Sequence, residues 1–245
     1  MTLRFAVSAA ALALLSACGG NGAGNSSAPA APVAAVAAPA GQDWTQVVSK
    51  TADGGYLMGN PDAAIKLVEY GSRTCPTCGA FGQTGMKPLE ENYVKTGKVS
   101  YEFRDFLVHA PDLGVAALGE CVGEAPFFPL LEQMYVEQPK FLEKLEKLPT
   151  DFQQKLQAMT PAQQATAWVE YLGYLDFVKQ RGVTEAQARA CLADGKKLEA
   201  IAKITEAGMQ QHNVTGTPSF FLNGKPLEGS VTWPQIEAAL KNAGA

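Results

Sequence analysis

Residues 71–78, GSRTCPTC, put two cysteines three positions apart behind a short apolar run, and no other stretch limits the fold as tightly. Ile65 to Tyr70, IKLVEY, starts β-branched and lies between the Asn60-Pro61-Asp62 turn and Gly71, which reads as a strand. Pro76 follows the first cysteine, and proline suits the first position of a helix because its missing N–H would have no partner there. Phe81, Leu89 and Tyr93 then recur at helical spacing in a segment running to Thr96, although Gly82, Gly85 and Pro88 are expected to weaken or kink that helix. Val99 to Phe106 alternates Val99, Tyr101 and Phe103 with Ser100, Glu102 and Arg104, the period of a strand. Strand, helix and strand in this order predict a βαβ unit with Cys75 at the helix N-terminus.

From about Ala110 to Gln211 the apolar period becomes helical, with Trp168, Leu172, Leu175 and Val178 as one stripe and Leu198, Ile201 and Ile204 as another. Thr160-Pro161-Ala162-Gln163 and Thr184-Glu185-Ala186-Gln187 read as capping boxes that open helices. This is an α-helical insertion of about 100 residues, within the size range of one domain. Beyond it, Ser219 to Leu222, the pair Asn223-Gly224 and Lys225 to Leu227 read as a hairpin, and Trp233 to Lys241 as a closing helix.

The beginning of the chain has a different character. Residues 1–17 carry one positive charge, Arg4, then an apolar run ending in small residues, the anatomy of an export signal and too short to stay as a spanning helix. The run closes on Leu15-Ser16-Ala17-Cys18, which resembles the lipobox of bacterial lipoproteins. That resemblance implies acylation of Cys18, with Gly19 leaning towards the outer membrane; an ordinary cleavable signal containing a cysteine is the alternative. Gly19 to Gly41 has no charge and no aromatic residue and repeats Pro, Gly, Ser and Ala, a composition expected to stay disordered as a tether. The formal charge of −4 is spread without a basic block, which argues against nucleic acid as a partner.

Five cysteines stand at 18, 75, 78, 121 and 191. With Cys18 set aside for a lipid, four remain in an exported chain, where thiols tend to pair. Cys75 and Cys78 form one couple. Cys121 and Cys191 form the obvious other, with two buried free thiols as the alternative. A four-cysteine zinc site would show a second closely spaced pair, so a metal is not expected.

A CxxC at the first βα junction reads as a redox motif. With the helical insertion, residues from about 56 to 245 resemble the DsbA family of exported thiol-disulfide oxidoreductases. Cys75-Pro76-Thr77-Cys78 carries the likeness, with Val214-Thr215-Gly216-Thr217-Pro218 ahead of SFFLNG, and with Glu69 six positions before Cys75. The resemblance implies an α/β thioredoxin fold with an inserted α-helical domain. The predicted organisation is a lipoprotein signal over 1–17, a tether over 18–43, a first thioredoxin-like part over 44–107, the insertion over 108–211 and a second thioredoxin-like part over 212–245. It also implies that Cys75 is the nucleophile, Cys78 the resolving thiol and Glu69 a buried acid beneath them. Pro218 is then a cis-proline opposite the CxxC, and Pro76, Thr77, Thr217 and Pro218 meet substrate.

The chemistry needs these residue types. Exchange proceeds through a thiolate, which unpaired N–H groups and the positive end of a helix dipole stabilise at Cys75. A stabilised thiolate is also a good leaving group, which makes the disulfide a stronger oxidant. Glu69 shares the face of Ile65 and Leu67, where desolvation should raise its pKa, unless it is a solvated charge at a strand end. Pro218 could otherwise be a trans proline opening an edge strand. His109 and His212 fall within no recognisable site and read as structural or surface residues. Thr77 stands where the best-known oxidases of the family carry histidine, so a less oxidising couple is expected.

The expected activity is therefore a protein disulfide oxidoreductase, a DsbA-like dithiol oxidase of the periplasm held to the membrane by its lipid anchor alone. Its partners would be unfolded or reduced exported proteins and a DsbB-like, quinone-linked membrane oxidase, with no cofactor of its own. The alternatives are a reductase or isomerase on the same fold, or a non-catalytic binding lipoprotein.

Overall fold

The βαβ unit forms the centre of one mixed sheet. In the computed structural model, which describes residues 30–245, the strands are β1 (Val48–Lys50), β2 (Tyr56–Gly59), β3 (Ile65–Gly71), β4 (Val99–Asp105), β5 (Ser219–Leu222) and β6 (Lys225–Pro226). Their order is β1-β2-β4-β3-β5-β6. β3 and β4 run parallel, with Ile65 opposite Val99 and Gly71 opposite Asp105, and every other pair is antiparallel. The crossover is α1 (Pro76–Asn92), which continues through Pro88 as one helix. Asn223 and Gly224, with φ of 50° and 76°, make the turn between β5 and β6, the left-handed pair that a two-residue hairpin requires.

The insertion supplies α2 (Asp112–Gly119), α3 (Phe127–Glu146), α4 (Thr150–Gln157), α5 (Pro161–Leu172), α6 (Tyr174–Lys179), α7 (Glu185–Ala193) and α8 (Gly195–His212), and α9 (Trp233–Asn242) closes the chain. Both capping boxes form, at Thr160 and Thr184. The stripe from Trp168 to Val178 is divided: the chain turns at Gly173, so Trp168 and Leu172 end α5 while Leu175 and Val178 belong to α6. α2 is buried at the centre of the helical cluster, among side chains of α5, α6, α7 and α8. Two helices of the insertion extend from that cluster to cover the sheet as well. Phe127, Phe128, Leu131 and Tyr135 of α3 join the core formed by Ile65, Leu67, Phe81, Tyr101 and Phe220. Burial of a Phe or Leu side chain of this kind contributes roughly 1.5–3 kcal/mol. On the opposite face Ile204 of α8 packs with Tyr70, Phe106 and Phe221. The insertion thus shares the core of the sheet on both faces, which brings α3 against the start of α1.

The disordered tether expected over 18–43 ends earlier, because the chain is docked from Ala30 onward. The Ala30 and Val33 amides donate to the Asn242 and Gly244 carbonyls, and the Val36 amide donates to Thr96. Buried Trp44 donates its indole N–H to the Val36 carbonyl at 2.7 Å. Val33 and Ala38 pack on the main core, so a few apolar contacts and backbone bonds outweigh a composition that favours disorder. The signal segment, Cys18 and the first part of the tether lie outside the described residues. Among the described residues no helix is long and apolar enough to cross a membrane.

Candidate active site

Cys75 sits where β3 gives way to α1, as the residue that caps the helix, with extended backbone at φ −79° and ψ 121°. Because Pro76 has no N–H, the first amides available to the sulfur are those of Thr77 and Cys78. Both favour the Cys75 thiolate. The hydrogen bond from the Cys78 thiol is the largest influence, burial opposes it, and the Thr217 hydroxyl adds to it; together they lower the Cys75 pKa to about 5. As a thiol, Cys75 donates to the Thr217 carbonyl at 3.3 Å. Cys78, one turn into α1, is fully buried, and that burial above all pushes its thiol well above the ordinary range. The Ser72 amide lies 3.5 Å from its sulfur. Two thiols with opposed ionisation therefore lie within one helical turn, and both are free.

Glu69 follows Ile65 and Leu67 on the face of β3 that meets the main core, and it is 1% exposed. Its Oε2 accepts from the Tyr101 hydroxyl at 2.6 Å, while Oε1 has no partner among the described residues. Burial outweighs the Tyr101 bond and raises the Glu69 pKa to about 8. The carboxyl therefore holds its proton at neutral pH, and its charge, when formed, bears on Cys78. The Thr217–Pro218 peptide bond is cis and opens the hairpin strand β5. Pro76 and Thr77 are exposed at the rim beside Cys75.

The residues just before the CxxC are held by partners that the sequence did not disclose. Arg73 is fully buried and makes a two-pronged ion pair with Asp105 at 2.8 and 3.0 Å, its guanidinium lying over the Phe127 ring. Asp112, the first residue of α2, is 2% exposed and accepts from Ser72 Oγ at 3.0 Å, from Thr74 Oγ1 at 2.5 Å, and from the Val108 and His109 amides at 2.8 Å each. His109 belongs here too: its Nδ1 lies 2.9 Å from Thr74 Oγ1, so it stands beside the active-site loop rather than apart from any site. His212 instead packs near the Tyr70 and Phe221 rings. The two hydroxyl residues Ser72 and Thr74 ahead of Cys75 signal at most that hydrogen-bond acceptors lie nearby, and nothing local identifies Asp112 as one of them.

Cys121 and Cys191 are joined by a disulfide with Cα atoms 6.0 Å apart, tying the turn after α2 to α7 in the helical cluster. It stands apart from the CxxC. Among the described residues no group of three or more His, Cys, Asp or Glu side chains is arranged to hold a metal ion.

This geometry has counterparts. The family model described as Thioredoxin matches residues 51–242. A crystal structure of a protein-disulfide isomerase from Novosphingobium aromaticivorans is 32% identical, with a TM-score of 0.73, over 78% of this chain and 99% of that one. The alpha-DsbA1 of Wolbachia pipientis is 19% identical with a TM-score of 0.60, over 78% of this chain and 90% of that one, a likeness of fold. A Rickettsia bellii relative named as a protein-disulfide oxidoreductase is 28% identical over 198 residues, 81% of this chain and 68% of that protein. The chain spans about two thirds or less of the length of the Rickettsia relatives it matches. With the CxxC at a βα junction, the helical insertion and a family match over nearly all described residues, the chain belongs to the thioredoxin family and is similar to proteins named as protein-disulfide oxidoreductases.

Proposed function

We propose that the protein is a dithiol oxidase of the export compartment, which passes a Cys75–Cys78 disulfide to reduced, newly exported proteins. The observation that carries this reading is the placement of the two thiols: Cys75 caps α1 and meets the Thr217 carbonyl at 3.3 Å, while Cys78 one turn on is fully buried, which favours the Cys75 thiolate and disfavours that of Cys78. A substrate thiolate attacks Cys75 Sγ, forming a mixed disulfide and breaking the Cys75–Cys78 bond. Cys78 leaves with the electron pair and takes a proton, for which neutral, buried Glu69 serves as the acid in this reading. A second substrate thiolate then attacks the substrate sulfur of the mixed disulfide. Cys75 departs as a stable thiolate, and the substrate is oxidised while the enzyme is reduced. Thr217, whose carbonyl meets Cys75, offers backbone to which an extended substrate segment can pair as a strand. Pro76, Thr77 and Pro218 complete the rim that substrate meets.

Reoxidation falls in this reading to a DsbB-like, quinone-linked membrane oxidase, and Cys18 carries a lipid that holds the domain at the membrane facing the periplasm. Fatty-acid labelling that disappears in Cys18→Ser tests the anchor. For the activity, the oxidised protein is mixed with a reduced, unfolded substrate and thiol loss is followed, alongside Cys78→Ser whose Cys75 is first loaded as a mixed disulfide with a small aromatic thiol; a substrate thiolate should displace that thiol and stay trapped on Cys75. An oxidase also melts higher when reduced than when oxidised, because the thiolate is stabilised only in the reduced form. A higher melting temperature for the oxidised form sinks the assignment.

A second reading has one observation in its favour, the 32% identity to the protein-disulfide isomerase of Novosphingobium aromaticivorans. Faster recovery of a scrambled substrate than oxidation of a reduced one would select it.

A further inference from the structure

Helix α3 of the insertion reaches the Cys75 carbonyl through Gln138. Gln138 is 3% exposed, and its Nε2 donates to the Cys75 carbonyl and to the Arg73 carbonyl, each at 3.0 Å. Both amide hydrogens are thereby spent on the two backbone oxygens that bracket Thr74. The Cys75 carbonyl also accepts from the Gly79 amide at 3.0 Å, the first bond of α1, so its two lone pairs are filled. Gly79 makes room for this arrangement: a Cβ there would meet Gln138 Oε1. Arg73 lies outside every helix and strand, so its carbonyl has no ladder to fall back on.

We propose that Gln138 is a positioning residue for the Cys75 thiolate, through which the helical insertion sets the redox strength of the CxxC. The proposal rests on the oxidoreductase reading of the same site. The amide places the positive end of its dipole against the carbonyl of the nucleophile's own residue, whose partial negative charge would otherwise act on the sulfur. It also fixes the turn that aims the Thr77 and Cys78 amides at that sulfur. Nothing in the sequence around Gln138 signals this role, since position 138 is 63 residues beyond Cys75 and inside a helix. Loss of the two bonds should destabilise the thiolate, and with it the reduced form relative to the disulfide, which makes the protein a weaker oxidant.

The test compares wild type with Gln138→Leu, which keeps the bulk and loses both donors, and with Gly79→Ala, which leaves Gln138 intact but displaces its amide. Each is titrated by thiolate absorbance and equilibrated with reduced and oxidised glutathione, and its thermal unfolding is recorded. Both variants should raise the Cys75 pKa and shift the glutathione equilibrium towards the oxidised form by about tenfold, the worth of one buried hydrogen bond. Gln138→Glu, unable to donate when ionised, should move both readouts the same way. Variants that melt lower but keep the wild-type titration and equilibrium would overturn the proposal, since Gln138 would then serve packing alone. A wild-type Cys75 that titrates as an ordinary thiol would instead strike the oxidase reading, while the shift between variant and wild type stays readable.

Discussion

Replacement of Glu69 by Gln should change the pH dependence of stability in a way that follows from two opposed proton equilibria. Glu69 has a pKa of about 8 when folded against a usual value of 4.5. Between those values the unfolded chain is ionised there while the folded protein keeps the proton, so stability falls by about 1.4 kcal/mol per pH unit. Cys75 acts in the other sense. Its folded pKa of about 5 lies below the usual 9.0, so over that interval the folded, reduced protein has released a proton that the unfolded chain still holds. Its contribution grows as pH rises and is lost as pH falls through about 5. In the wild type the two slopes largely offset each other from about pH 5 to 8. Glu69→Gln removes one of them and keeps an acceptor for the Tyr101 hydroxyl.

The reduced variant should therefore gain stability over wild type by about 1.4 kcal/mol per pH unit across that window, reaching on the order of 4–5 kcal/mol near pH 8. Urea unfolding of both proteins under a reductant, at several pH values, measures the difference directly, and groups common to both proteins cancel. A difference that does not change with pH would refute the reasoning, because Glu69 would then ionise in the folded state as an exposed carboxylate does.

Asp112→Asn should lower stability by about 2–4 kcal/mol in urea unfolding, because one amide cannot accept the two hydroxyl and two backbone bonds that the carboxylate takes. The double change Cys121→Ala, Cys191→Ala opens a loop of 70 residues and should cost about 4 kcal/mol on chain-entropy grounds, with the glutathione equilibrium of Cys75 and Cys78 unmoved. A shifted equilibrium would show that this disulfide, remote from the CxxC, still acts upon it.

The parts of the structure that were legible in the sequence are those whose cause is local. Ile65 to Tyr70 announces a strand through composition and flanking turns, Pro76 marks a helix start, and the Thr160 and Thr184 capping boxes carry both partners within four residues. Glu69 was legible because strand alternation assigns it to the face of Ile65 and Leu67, and that face proves to be the core. Asp112, Gln138 and Arg73 were not legible as parts of the site. Asp112 and Gln138 take their meaning from contacts 38 and 63 positions away, and period and spacing report nothing on such pairs. Arg73 looks like a solvated cation until Asp105 and the Phe127 ring enclose it. The stripe through Trp168 and Val178 misled in a different way, since two helices joined at Gly173 can keep their apolar faces towards one core. The segment from Ala30 to Gln42 reads as a tether because composition weighs average behaviour, and docking needs only Val33, Ala38 and three backbone bonds in the right places.

The account depends most on the charge of one sulfur. Absorbance of the reduced protein at 240 nm, followed from acid to alkaline pH with Cys75→Ser as the blank, reports the Cys75 thiolate. A midpoint near pH 5, with Cys78 silent up to alkaline pH, is the predicted result. A midpoint between about 8 and 9, the range of an unperturbed thiol, would contradict it.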